Sequence, residues 1–178
     1  MEPVLKRCLT QLQNRWGPLF QQQVLNIVAY GSGALPQSSS PSAMASNTLD
    51  LLIEVRNSSY FHNELMRSNQ NDYSGFGYVM GAGWVNFATE KIFPMHSNHI
   101  NLDGRKVKYS VIGKQQFRED MRNWKYLSFA GRMQKAVIPL QPYQENFAED
   151  LQRNRESALA VALLLKKRAQ DVHFGEIL

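Results

Sequence analysis

An α/β or α+β domain, with helices flanking a mixed sheet, is the fold class this sequence predicts. Short apolar runs bounded by Gly, Pro and Ser, at Val24–Tyr30 and Leu49–Val55, have the length and aliphatic content of buried strands. Longer stretches, such as 3–16 and 143–169, carry apolar residues at helical spacing instead. The two kinds interleave without an internal repeat, which points to a sheet with helices packed against it.

The first helix is expected from Pro3 to Trp16, with Val4, Leu5, Cys8, Leu9, Leu12 and Trp16 at helical spacing and Gly17-Pro18 as the stop. The strand Val24–Tyr30 follows and runs into Gly31-Ser32-Gly33, then a Ser- and Pro-rich loop over 34–47 leads to the strand opened by Leu49-Asp50. Asn57 offers an N-cap for a helix to about Met66. Tyr73 to Gly77 and Gly81 to Trp84 are rich in glycine and aromatics, suited to a ligand loop or to tight turns. Asp103-Gly104 between His99–Leu102 and Arg105–Ile112 is a strong hairpin signal, and alternation puts Lys106, Lys108, Ser110 and Ile112 on one face of the second arm. A helix over 114–124, a short strand-like run at 136–140 and a long helix over 143–169 finish the chain, the last expected to pack on the core with a solvated basic end.

With 178 residues, 43% apolar and 20% charged, the chain suits one folded core and not a disordered segment. One cysteine, Cys8, excludes an intramolecular disulfide and suits a reducing compartment. The longest apolar run, Ala158–Leu165, falls short of the roughly 20 residues a membrane-spanning helix needs, and no leader pattern opens the sequence. A net charge of +5 and a pI near 9.4 favour an anionic partner, which leaves nucleotide, nucleic acid and membrane surface open.

Two features carry chemistry. Glycines after a strand let backbone amides converge on an anion, so Gly31, Ser32 and Gly33 form a candidate phosphate cradle. Asp50 interrupts an apolar strand, where a carboxylate is costly to bury unless a cation such as a divalent metal meets it. Alternation places Glu54 on the same strand face, as a second candidate ligand against the simpler reading of a solvated strand end. The histidines, His62, His96, His99 and His173, lack zinc-ligand spacing.

These pieces resemble the mitochondrial-type phosphatidate cytidylyltransferases, the translocator assembly and maintenance family. The shared order is Tyr30-Gly31-Ser32-Gly33, Leu49-Asp50, the His62 helix leading to Tyr73-Ser74, Gly81-Ala82-Gly83, Gly104 to Tyr109, Glu119-Asp120 through Asn123-Trp124, and Ala130-Gly131-Arg132-Met133-Gln134-Lys135. The resemblance implies a nucleotidyltransferase-like fold and transfer of CMP from CTP to phosphatidic acid, giving CDP-diacylglycerol for phosphatidylglycerol and cardiolipin synthesis. It implies Mg²⁺ as cofactor, with Asp50 as metal ligand, and Asp50, Ser32 and Lys108 as catalytic residues. Phosphates fall to Gly31, Ser32, Gly33, Lys108, Arg132 and Lys135. Peripheral contact with an anionic membrane is expected, on the matrix side of the mitochondrial inner membrane or on the cytoplasmic face in a bacterial member, with no nucleic-acid partner. The family's C-terminal region is not found in these residues, which suits a compact member or a truncated piece. Action on RNA or a small molecule, or non-catalytic nucleotide binding, is the competing expectation.

Overall fold

The computed structural model describes residues 3–35, 47–73, 81–85, 87, 88 and 96–175, with side chains up to residue 167. The Pro/Ser stretch 36–46, the glycine–aromatic stretch 74–80 and Asn86 lie outside the described residues.

The elements run α1 (Pro3–Trp16), α2 (Pro18–Gln23), β1 (Val24–Tyr30), β2 (Leu49–Val55), α3 (Ser58–Ser68), a 3-10 turn (Gln70–Asp72), β3 (His96–Leu102), β4 (Arg105–Gly113), α4 (Lys114–Asn123), α5 (Phe129–Met133), β5 (Ile138–Pro139) and α6 (Phe147–Gly175). The strands form a five-stranded sheet in the order β3-β4-β2-β1-β5. Pairing is antiparallel except between β2 and β4, so the sheet is mixed, as expected.

Helices cover both faces. On one, Leu5, Cys8, Leu12 and Trp16 of α1 pack with Phe20 of α2 and Phe61 and Leu65 of α3 against Ile27, Leu51, Ile53 and Tyr109. Burial raises the Cys8 thiol to about 11, which makes it a packing residue and not a nucleophile. On the other face, Phe117 and Met121 of α4, Phe129 and Met133 of α5, and Phe147 and Leu151 of α6 close over Val28, Leu52 and Ile112.

Local chemistry explains the boundaries. Gly17, at φ +50°, ends α1, and Pro18 then starts α2 from a first-turn position where its missing N–H costs nothing. The pair expected only to stop α1 thus also starts α2. Asn57 caps α3 by accepting the Tyr60 N–H at 2.9 Å. Asp103 and Gly104 both have positive φ, at +48° and +82°, as a two-residue hairpin turn of the favoured twist requires.

The last helix departs from expectation. Phe147, Asp150, Leu151 and Asn154 are buried, but Leu159 and Leu164 are 61% and 68% exposed, so the second half of α6 does not pack on this core. Lys166 and Lys167 beyond it are exposed.

Glu54 lies in the buried interior, where its Oε2 accepts the Asn26 Nδ2–H at 2.6 Å. Burial pushes its carboxyl up from 4.5 to about 7, against the pull of Asn26. The folded state therefore holds a proton that the unfolded chain releases, and the resulting stability is full below about 4.5 and lost as pH rises through about 7. Glu54→Gln should flatten this dependence. Urea melts at about pH 5 and about pH 8 should show wild type losing roughly 1–3 kcal/mol more than the variant across the interval, and parallel losses would contradict the assignment.

Candidate active site

Register builds the site. The β1–β2 pairing sets Tyr30 opposite Asp50, the parallel β2–β4 pairing sets Asp50 opposite Lys108, and the β3–β4 pairing sets His99 opposite Lys108. Tyr30, Asp50, Lys108 and His99 therefore form one row across the sheet, on the face covered by α4, α5 and α6. Arg132 reaches the row from α5, where its charge lowers the Tyr30 phenol against the rise that burial gives it, and its guanidinium donates to the Ser128 carbonyl at 2.5 Å.

Asp50 is half-buried and has no hydrogen bond or ion pair among the described residues. Burial raises its pKa, and the opposing pull of Lys108, Arg132 and His99 does not cancel that cost. A cation in direct contact with the carboxylate would favour its charged form further.

The Gly31-Ser32-Gly33 turn sits against this carboxylate. A Cβ on Gly31, whose φ is +75°, would stand 3.4 Å from Asp50 Oδ2. The Gly31 carbonyl accepts the Ala34 and Leu35 N–H groups at 3.1 and 2.9 Å. The Ser32 and Gly33 amides donate to nothing among the described residues, as a cradle awaiting an anion requires. A Cβ on Gly33 would lie 2.2 Å from the Thr48 carbonyl oxygen, so only glycine lets the turn pass this close to the start of β2. Arg105 fastens the turn from β4, donating to the Gly33 carbonyl at 2.5 Å.

Arg132 owes its position to Asp120. The buried Asp120 carboxylate accepts the Tyr126, Leu127, Phe129 and Ala130 N–H groups at 2.7 to 3.0 Å, which fixes the bend after α4 and the start of α5. Removing it would strand those amides, at about 1–3 kcal/mol for each one left buried. Asn154 of α6 completes the mount by donating to the Ala130 carbonyl at 2.9 Å and accepting the Trp124 indole N–H at 2.7 Å. Trp124 is thus a packing and bonding residue.

The structure brings Gly31, Ser32, Gly33, Asp50, Lys108 and Arg132 together. Glu54 lies four residues along β2 from Asp50, about 13 Å at strand rise, bonded to Asn26 and outside the row. The exposed Lys135 side chain makes no described contact with the row, and its carbonyl accepts from Arg155 at 2.9 Å. Sequence reasoning missed Tyr30 as a row residue, His99 and Arg105. Strand alternation held the signal for His99, but only the β3–β4 register gives it meaning.

No group of three His, Cys, Asp or Glu suited to a metal occurs among the described residues. One carboxylate beside open amides nevertheless fits Mg²⁺, which binds through one or two carboxylates with phosphate oxygens and waters as its other ligands. Asp50 is the residue that would hold it. Elsewhere, a 740 Å³ cleft lined by Gln13, Asn14, Gln21, Gln141 and Gln144 carries amides and no charge. A 400 Å³ groove holds Lys114, Arg118 and Arg122, already met by Glu145 and Asp150.

Gly33→Ala tests the close approach at the turn. The variant should lose triphosphate binding at least tenfold and about 2 kcal/mol or more of stability, because the clash falls on backbone rather than on a flexible side chain. Wild-type nucleotide affinity, measured calorimetrically, would show that the turn does not hold the phosphates.

Comparison with known proteins identifies the family. The family described as phosphatidate cytidylyltransferase, mitochondrial, matches residues 17–173. A relative of that name from Schizosaccharomyces pombe is 31% identical over 92% of this chain and 40% of its own length. Relatives of the same name from Caenorhabditis elegans and Homo sapiens are 29% and 28% identical, over 77% and 88% of this chain and 42% and 36% of their own lengths. The chain thus spans about two fifths of the length of the curated relatives it matches. No described helix is long and apolar enough to cross a membrane. A family match that takes in the turn, Asp50, Lys108 and α5 alike shows that this chain belongs to the mitochondrial phosphatidate cytidylyltransferase family.

Proposed function

We propose that the chain transfers CMP from CTP to phosphatidate, forming CDP-diacylglycerol and diphosphate. The observation that carries this reading is the unpartnered Asp50 carboxylate, set between open turn amides and the cations Lys108 and Arg132. Such a constellation suits a metal-bound triphosphate, and membership in the family supplies the acceptor.

A phosphate oxygen of phosphatidate attacks the α-phosphorus of CTP as the bond to the β-phosphate breaks, and diphosphate leaves with the electron pair. The attacking oxygen is already anionic, so no general base is needed. What the protein contributes is the approach of two anions and a place for charge to go. The Ser32 and Gly33 amides and the Ser32 hydroxyl hold the β- and γ-phosphates. Arg132, held to the Ser128 carbonyl, and Lys108 take charge at the reacting phosphate, with Lys135 as a further phosphate partner. Mg²⁺ on Asp50 neutralises phosphate charge when bound. Contact with the membrane is peripheral, and the relatives' name points to mitochondria as the setting.

Thermal unfolding tests this reading. CTP with Mg²⁺ near 100-fold above its dissociation constant should raise the melting temperature by roughly 5 °C or more, ahead of ATP or GTP. Asp50→Asn should abolish the Mg²⁺-dependent part of that shift without lowering the melting temperature of the free protein, since the carboxylate is burdened by burial. Equal shifts for all nucleotides would remove cytidine preference, and an undiminished Mg²⁺ effect in the variant would remove Asp50 as the ligand.

A further inference from the structure

The row across the sheet has two ends, and the turn, Arg132 and Asp50 occupy only one. At the other, on the edge hairpin, His99 stands opposite Lys108, and Lys106 lies one pleat nearer the turn on the same face. Same-face neighbours on a strand are about 7 Å apart and direct cross-strand neighbours about 5 Å. Three cationic or protonatable side chains therefore leave the same sheet face from neighbouring positions, within reach of one phosphate group.

Asp50, opposite Lys108, lies near that charge, but no ion pair closes on it among the described residues. His99, Lys106 and Lys108 have no ion pair or hydrogen bond among the described residues, whereas Arg15, Lys114, Arg118 and Arg122 each meet a carboxylate. The patch also shares a surface with Asp50, since His99 and Lys108 both lower the Asp50 carboxyl.

Direction decides which anion belongs there. In-line displacement brings the attacking oxygen to the side of the α-phosphorus opposite the leaving diphosphate. The turn that cradles the leaving group follows β1, Asp50 is on β2, and the patch lies on β4 and β3, so the line from leaving group to nucleophile runs along the row.

We propose that His99, Lys106 and Lys108 form the seat of the acceptor's phosphomonoester, an inference that rests on the cytidylyl-transfer reading. One acceptor oxygen forms the new bond to the α-phosphorus, the bond to the β-phosphate breaks, and diphosphate carries off the electron pair. The seat holds the remaining acceptor oxygens, and no proton is removed from a dianion. Ester groups beyond the phosphate extend off the open edge of β3.

Histidine ring NMR on the full chain, loaded with Mg²⁺ and α,β-methylene-CTP, tests the seat without requiring turnover. Titration with dihexanoyl phosphatidate should move the His99 ring signal and leave buried His62 in place, and glycerol 3-phosphate should do the same if the phosphate alone is read. Dihexanoyl phosphatidylcholine, a phosphodiester, should leave His99 unmoved. Lys106→Gln and His99→Asn should each weaken dihexanoyl phosphatidate about tenfold while holding the Mg²⁺-nucleotide affinity within about twofold. An unmoved His99 at saturation, an equal response to the phosphodiester, or a matching loss of nucleotide affinity would overturn the proposal. If the phosphomonoesters bind as expected but wild type makes no CDP-diacylglycerol from CTP, the seat stands and the cytidylyl-transfer reading fails.

Discussion

A carboxylate held half out of water, with no hydrogen bond or ion pair among the described residues, is the constraint on which this structure turns. Asp50 occupies the first full pairing position of β2, flanked by the buried Leu49 and Leu51, and the parallel pairing with β4 presents it to Lys108. Three basic groups around it do not offset its burial. A protein seeking stability alone would have hydrogen-bonded that group or replaced it. The surroundings instead keep it open: Gly31 brings the turn alongside without a side chain, Gly33 lets the turn graze Thr48, and Arg105 pins the Gly33 carbonyl so that the Ser32 and Gly33 amides stay available.

Polar networks on both faces hold the row in shape. Asp120 and Asn154 mount α5, and α5 carries Arg132. Beneath the edge hairpin, Asp72 pairs with Arg15 and accepts from the Tyr109 hydroxyl at 3.3 Å, Asn98 donates to that hydroxyl at 3.0 Å, and His96 bonds Asn98 at 2.9 Å. Burial lowers His62 to about 3, so it stays neutral, bonded through Nδ1 to the Tyr73 hydroxyl at 2.7 Å. These interior bonds fix β3 and β4 from below while His99, Lys106 and Lys108 face the other side. Edge strands without such support slip in register, and a one-residue slip would turn His99 away from the row.

Local signals made much of this legible. The two central strands, α1, the Asn57 cap and the Asp103-Gly104 hairpin follow from composition, capping and turn chemistry within a few residues of each feature. Gly31, Ser32, Gly33 and Asp50 stood out because glycine after a strand and a charge inside an apolar run break local rules. Non-local pairing hid the rest. His99 and Arg105 gain their roles from partners across strands, and the four bonds of Asp120 converge from residues that only the folded bend brings together. Periodicity also misled: the leucines of α6 repeat as a core helix would, yet the helix runs past the core that its spacing suggested. Glu54 shares the strand face of Asp50, and alternation alone could not show that Asn26 of β1 meets it in the buried interior.

In the proposed reaction the row directs a cytidylyl group from CTP onto a lipid phosphate. Following the two phosphorus labels of CTP separately tests it most directly, with the chain incubated with Mg²⁺ and phosphatidate vesicles and the organic and aqueous phases then counted. Label from the α-phosphorus should enter the organic phase as CDP-diacylglycerol, while label from the γ-phosphorus should stay in water as diphosphate. Label from the γ-phosphorus in the lipid, or α-label that never leaves the aqueous phase despite CTP binding, would contradict it.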